Sequence, residues 1–330
     1  MRAVGSLILL LLVAWAGGCQ KAVRRPKIAD GVVLSAEAPV RNSTAVVAIE
    51  LVRLRQGEEV EVLERKGTEW MRVRARGGIE GWMDARHVLE KSAFERARAL
   101  EREMAAVQRQ ALGQLVGSAA IRLTPGRASD ENVLFYAPAG TVVEILRRER
   151  TLRLSSQIVP RRYRPRARPE RSPESLPPLD LWYCVRLPES FLLRVGWVYA
   201  PLVEMKVPER LRHLQGEYAF VAWYELASIE DPEIGPSSHY LTFDTHRTAP
   251  VPGTDFERVR LWVWDSERHR YTIRHWEIAH GILPIEHRRD AARHRFRLRL
   301  YEPKTGELGE VEYQVDVSDP MNPRWLRPSR

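Results

Sequence analysis

Apolar and polar residues alternate along most of this chain, and the period of that alternation changes twice. Between Asp30 and Glu90 it is two: Val60 and Val62 alternate with Glu59, Glu61 and Glu64, and the pattern resumes in Trp70–Met83 around a Gly77-Gly78 turn. Successive strand residues point to opposite faces, so this stretch predicts short strands of a small all-β barrel or sandwich. Over residues 91–115 the period lengthens. Phe94, Ala97, Leu100, Met104, Val107, Ala111 and Leu115 recur at steps of three and four with no proline among them. That predicts an amphipathic helix of roughly 24 residues, about 36 Å long, whose apolar face packs on a barrel or pairs with another copy. From Val207 to Arg330 strand-like runs return, including Tyr218–Leu226, Arg258–Trp264 and His294–Glu302. Six strands are expected there, in an antiparallel sheet or sandwich, with hairpin turns at Asp265–His269 and Pro303–Glu307.

The first pattern recurs. Gly57-Glu58-Glu59-Val60-Glu61-Val62-Leu63 matches Gly140-Thr141-Val142-Val143-Glu144-Ile145-Leu146. Trp70-Met71-Arg72-Val73-Arg74 matches Trp182-Tyr183-Cys184-Val185-Arg186, and Gly81-Trp82-Met83 matches Gly196-Trp197-Val198. Three blocks in one order mark an internal repeat. The second copy carries an Arg- and Pro-rich insert, about 155–178, which cannot sustain a strand ladder.

In order, these motifs resemble the bacterial SH3-like (SH3b) domain: an Arg-bearing first strand (Val40-Arg41-Asn42; Ile121-Arg122-Leu123), the G-x-x-V-x-V turn, a Trp-x-x-Val strand, and a closing Gly-Trp followed by a hydrophobic pair (Val88-Leu89; Leu202-Val203). The resemblance covers well under half of the chain. It implies two small SH3-like barrels, at 30–90 and 116–205, joined by the helix at 91–115 and followed by a β-rich domain at 207–330 that resembles no family. It also implies a ligand class, peptidoglycan or wall peptide, held in a groove of aromatic and polar side chains. Tyr183 and Tyr199, which the first copy lacks, are candidate groove residues, with Trp182 and Trp70 beside them.

At the start of the chain, Arg2, an apolar run from Leu7 to Val13, and the small residues Ala16, Gly17 and Gly18 lead into Cys19. The run is short of the roughly 20 residues a bilayer span needs and has the length of a signal-peptide core. The pattern resembles the lipobox of bacterial lipoproteins. That implies cleavage after residue 18, lipid on Cys19 and a basic tether over 19–29. Each buried methylene of the lipid would contribute about 0.8 kcal/mol to anchoring. The chain is accordingly expected to be exported and membrane-anchored, facing the periplasm, and sorted to the outer membrane if the cell is Gram-negative.

Charge fits that picture. The formal net charge is +9, with 52 Lys and Arg against 43 Asp and Glu. A basic exported protein is drawn to anionic envelope polymers or headgroups. Export argues against nucleic acid as a partner. Arg161, Arg162, Arg164, Arg166 and Arg168 in the insert are the candidate contacts, binding generically or simply solvated. Envelope proteins are the other candidate partners, in which case the chain is an assembly subunit.

Catalytic chemistry is not legible, and neither a cofactor nor a metal is expected. With Cys19 lipidated, Cys184 is the one thiol left, and no base-bearing signature surrounds it. SH3-like domains of this kind often accompany cysteine peptidases, but no such catalytic domain is recognisable. His275-x-Glu277-x-x-His280 has a spacing of five, whereas a helical zinc site needs two histidines at i, i+4. It reads as strand leading into a turn at Gly281. The expectation is a non-enzymatic binding protein.

Overall fold

The computed structural model describes residues 24–127, 132–153, 179–302 and 304–326. The lipobox-like segment with Cys19 and the arginines of the insert lie outside the described residues. The chain is mainly β, built from three seven-stranded antiparallel sheets. Among the described residues no helix is long and apolar enough to cross a membrane.

The first sheet contains β1 (Ala29–Val33), β2 (Glu37–Arg41), β3 (Glu50–Arg55), β4 (Glu59–Lys66), β5 (Trp70–Arg74), β6 (Glu80–Asp84) and β7 (Val88–Glu90). Their order is β3-β2-β6-β5-β4-β1-β7. The second contains β8 (Ala111–Leu115), β9 (Ala119–Arg122), β10 (Val133–Ala137), β11 (Val142–Leu152), β12 (Leu179–Arg186), β13 (Val195–Tyr199) and β14 (Val203–Met205). Its order is β10-β9-β13-β12-β11-β8-β14. Adding seven to each label of the first sheet reproduces the second, so the sequence repeat is a repeat of topology. The register agrees as well. Arg41 pairs with Trp82 on β2 and β6, and Arg122 pairs with Trp197 on β9 and β13. The Gly-Trp motif has a steric cause. A Cβ on Gly81 would collide with the Arg41 carbonyl oxygen and Val40, and one on Gly196 with Ile121.

The helix is shorter than its apolar period suggests. α1 spans Lys91–Met104, and residues 111–115, expected to be its last turns, are strand β8. There the burial alternates, with Ala111, Gly113 and Leu115 inside and Leu112 and Gln114 half-buried. Ala111 and Leu115 fit both periods. Pairing with β11 and β14 selects the strand, and Gly113 lets Val203 pass where a Cβ would clash. The second module therefore starts at Ala111, not at residue 116.

α1 packs on both modules. Ala97 and Phe94 join Leu34 and Leu89 of the first module and Leu123, Leu134, Phe135 and Leu193 of the second. Further along, Leu100, Met104 and Val107 cover Leu146, Trp182, Cys184 and Trp197. This accounts for one large chemical difference between the copies. Cys184 is fully buried beneath the helix, whereas its counterpart Arg72 is half-buried, with its guanidinium 5.8 Å from the centre of the Trp82 ring.

The third sheet is a meander: β15 (Tyr218–Asp231), β16 (Gly235–His246), β17 (Phe256–Asp265), β18 (Arg270–Asp290), β19 (Arg293–Tyr301), β20 (Leu308–Asp316) and β21 (Arg324–Leu326). It has one strand more than expected. Gly281 is not a turn but lies within the long β18, paired with Phe256 on one side and Leu300 on the other. The core is aromatic, with Phe243, Phe256 and Phe296 wholly buried and Tyr224 edge-on to Phe243.

Part of one edge of β18 is capped by side chains rather than by a strand. The N–H of Leu283 donates to Asp255 Oδ2 (2.9 Å), that of Ile285 to Gln110 Oε1 (2.8 Å) and that of His287 to Gln108 Oε1 (2.9 Å). Two of these acceptors lie just ahead of β8. On β11, Arg148 Nη1 donates to the Asp255 carbonyl (2.7 Å), and Arg150 Nη1 to its carboxylate (3.3 Å). Buried backbone donors left unpaired would be costly, so these side chains lock the third sheet to the second module.

Candidate functional site

A cleft of about 470 Å³ opens where the two modules meet beside α1. The first module contributes the segment after β1 (Leu34, Ser35, Ala36), Gln56 from the β3–β4 turn, and Arg86 and His87 from the 3-10 turn before β7. The second contributes Phe135 and Tyr136 of β10 and the 190–193 segment before β13. The volume falls in the range of small-ligand sites, which combine apolar walls with a few placed polar groups.

The apolar wall is an aromatic pair. Phe135 and Phe191 stack with centroids 5.7 Å apart and planes inclined by 29°. Both rings are half-buried, and Tyr136 beside them is 56% exposed. The polar side is organised by His87, whose Nδ1 lies 2.7 Å from Ser35 Oγ. Burial lowers the His87 pKa, opposed by the nearby Asp84 carboxylate. A neutral imidazole has one donor and one acceptor nitrogen, so in either tautomer one serves Ser35 and the other is left for the cleft. His87 Nε2 has no partner among the described residues. Arg86 is not a free cation. Its Nη2 and Nε grip Asp84 at 2.7 and 3.1 Å, and the same carboxylate accepts the Arg86 backbone N–H. Gln56 Nε2 donates to the Leu34 carbonyl at 2.8 Å.

Among the described residues, none of the aromatic side chains expected from sequence to bind ligand lines this cleft. Trp182 is 1% exposed, covered by α1, and its Nε1 donates to Thr151 Oγ1 (3.0 Å). It is core, not groove. Tyr183 and Tyr199 do not share a groove either. Tyr199 pairs across the ladder with Trp182 and lies on that residue's face, whereas Tyr183 pairs with Val198 and packs on the opposite face. Alternation along β12 and β13 separates them. Tyr199 is further occupied by Arg127, 3.7 Å above its ring, and by Asp180, which accepts from its hydroxyl at 3.4 Å. Trp70 is half-buried on β5.

Ser35, His87, Phe135, Tyr136 and Phe191 were not singled out by sequence. They lie outside the matched blocks, which report the strands that build each module rather than the loops between modules. Phe135-Tyr136 beside a Pro-Ala-Gly turn was the one available signal, an aromatic pair running into a loop.

Cys184 is inert. Burial pushes its thiol up to about 12, so no thiolate forms at neutral pH. His275 and Glu277 lie on the extended β18, with His275 stacked on Trp325. Among the described residues no group of three His, Cys, Asp or Glu is placed to hold a metal ion.

No protein-family model matches the chain, and no curated protein matches it. Among solved structures it aligns with NlpC2 from Trichomonas vaginalis at 11% identity and a TM-score of 0.18, over 93% of this chain and 99% of that one. NlpC1 from the same organism aligns at 10% identity and a TM-score of 0.19, over 94% and 96%. Likeness at that TM-score carries no argument.

Proposed function

We propose that this chain is a non-enzymatic, lipid-anchored binding protein of the bacterial cell envelope, which holds peptidoglycan in the cleft between its two β modules. The observation that carries this reading is the cleft itself, lined by an aromatic pair of the second module and a serine–histidine pair of the first, beside the helix that packs on both modules. The resemblance of both modules to SH3-like domains supplies the ligand class, and the lipobox-like segment ending at Cys19 supplies the location.

The test is co-sedimentation of the full chain carrying Cys19→Ser with purified wall sacculi across a salt series. Binding that survives high salt and falls on Tyr136→Ala supports the reading. Binding that disappears with salt marks generic attraction through the arginine insert, because exposed charges are screened within about 8–10 Å at moderate ionic strength. No binding at low salt rejects the reading. Anchoring is tested in the cell: Cys19→Ser moves the chain to the soluble fraction, and a variant that still pellets with membranes in high salt rejects the lipid anchor.

A second reading, an assembly subunit that binds envelope proteins, is favoured by one feature of the first module. The β2–β3 connection exposes Val46, Val47 and Ile49 at 97%, 89% and 68%. Clustered exposed apolar side chains are characteristic of protein contacts. On this reading Val46→Ser with Val47→Ser abolishes co-purification of a partner and leaves sacculus binding unchanged.

A further inference from the structure

We infer that the inter-module cleft takes an uncharged sugar, an N-acetylated hexosamine of a glycan strand, rather than a charged peptide. This rests on the wall-binding reading above and names the part of the wall that is held.

The argument begins with charge. Only Arg86 and His87 among the lining groups carry or acquire charge near neutral pH. The Arg86 guanidinium is matched by the Asp84 carboxylate in a two-pronged contact. His87 is held neutral by burial. Gln56, Ser35, Ser190 and Tyr136 supply amide and hydroxyl groups. A peptide with free carboxylates and amines would lose water here without gaining an opposite charge, and unpaired desolvated charges are strongly disfavoured. The lining therefore selects against charged ligands.

Shape selects further. A pyranose presents a face of C–H groups and a rim of hydroxyls. Aromatic rings carry negative charge on their faces and attract such C–H groups while burying apolar surface. Phe135 and Phe191 provide this surface from the second module, and the exposed Tyr136 also lines the cleft. On the first module's side of the cleft, the second nitrogen of His87 and Gln56 Oε1 have no partner among the described residues. The hydroxyls and acetamido group of an N-acetylated sugar can pair with both. Apolar rings from one module and neutral donors and acceptors from the other, lining one cleft, are complementary to an amphipathic ring that carries no charge.

The experiment is calorimetric titration of the Cys19→Ser chain with two probes, the tetrasaccharide of N-acetylglucosamine and a free wall stem peptide, at low and high salt, alongside sacculus co-sedimentation. The expected result is binding of the tetrasaccharide with an affinity indifferent to salt. Tyr136→Ala and His87→Ala each weaken it about tenfold, the scale of losing one well-packed contact. Tyr136 is exposed, so its truncation leaves the fold intact, which the thermal melt verifies. If the stem peptide binds in a Tyr136-dependent way and the sugar does not, the inference is overturned while wall binding stands. Sacculus binding that depends on Tyr136 without any binding of the tetrasaccharide overturns it in the same way. If neither the sugar nor sacculi bind, both fail.

Discussion

Tyr224 donates its hydroxyl proton to Gln110 Oε1 across 3.0 Å, and this buried contact joins the third sheet to the chain that leads into the second module. Gln110 is fully buried and uses every polar group it has. Its N–H donates to the Ile145 carbonyl, and its carbonyl accepts from Trp223 N–H. Its amide nitrogen donates to the carbonyls of Gln108 and Ile285, and its amide oxygen also accepts from Ile285 N–H. Three strands, β11, β15 and β18, are held by one side chain and its backbone.

Gln110→Ala removes the side-chain amide, leaving the Ile285 N–H buried without an acceptor and the Tyr224 hydroxyl with only the longer contact to the Ile285 carbonyl (3.4 Å). Each unsatisfied buried group costs roughly 1–3 kcal/mol, so a loss of about 2–5 kcal/mol is expected. Chemical denaturation measures it. Hydrogen exchange at Ile285 should accelerate more than exchange in the first module, and equal acceleration everywhere would contradict a local tie.

Gly196→Ala introduces a Cβ into the Ile121 methyl and close to the Arg122 carbonyl oxygen. Overpacking of this kind typically costs 1–3 kcal/mol, so a destabilisation of about that size is expected. A melting temperature within one degree of the wild type would show that β9 can move aside.

His287 and His294 form a stacked pair, with His287 Nε2 2.9 Å from His294 Nδ1. Burial lowers both pKa values, that of His287 to about 4 with the His294 imidazole and Arg289 adding to it, and that of His294 with Arg289 adding to it. Both rings are neutral in the folded chain, whereas the unfolded chain takes up protons below about 6.5. The associated stability is complete above pH 6.5 and declines as the pH falls towards 4. After discounting for solvent screening the loss is on the order of 1–2 kcal/mol. Denaturation at pH 7 and pH 4.5 checks this, and His287→Phe should shrink the difference between the two.

Cys184 should resist alkylation in the native Cys19→Ser chain at pH 8 and react fully in denaturant. Mass spectrometry reads the outcome directly. Rapid labelling of the native chain would mean that α1 lifts from the Trp182–Trp197 face, because that helix is what buries the thiol.

Much of the architecture is legible in the sequence. Val60 and Val62 alternating with glutamates described β4 because side-chain period follows directly from strand geometry. The matched blocks around Trp70 and Trp182 described one topology used twice. The end of the helix is not legible in the same way. Ala111 and Leu115 satisfy a helical period and a strand period equally, and only the pairing partners distinguish them. The tyrosines failed for a related reason. Tyr183 and Tyr199 are close along the ladder but one residue out of phase, so they face opposite sides of the sheet.

What the sequence determined by itself was local and periodic: mainly β structure, the repeat, the helix start, the hairpin after Asp265, and the basic charge. The strand alternation and the helix depend on neighbours two to four residues apart, and the repeat and the charge are read from the order and kind of residues alone. The cleft is different in kind. Leu34, Ser35, His87, Phe135, Tyr136 and Phe191 come together only because α1 draws one module against the other around Ala97, Leu134 and Leu193. No spacing along the chain encodes that contact, since the residues that pack the junction are apolar in the same way as those of either core. Burial at the junction, a property of the assembled sheets, decided which side chains were left facing a ligand.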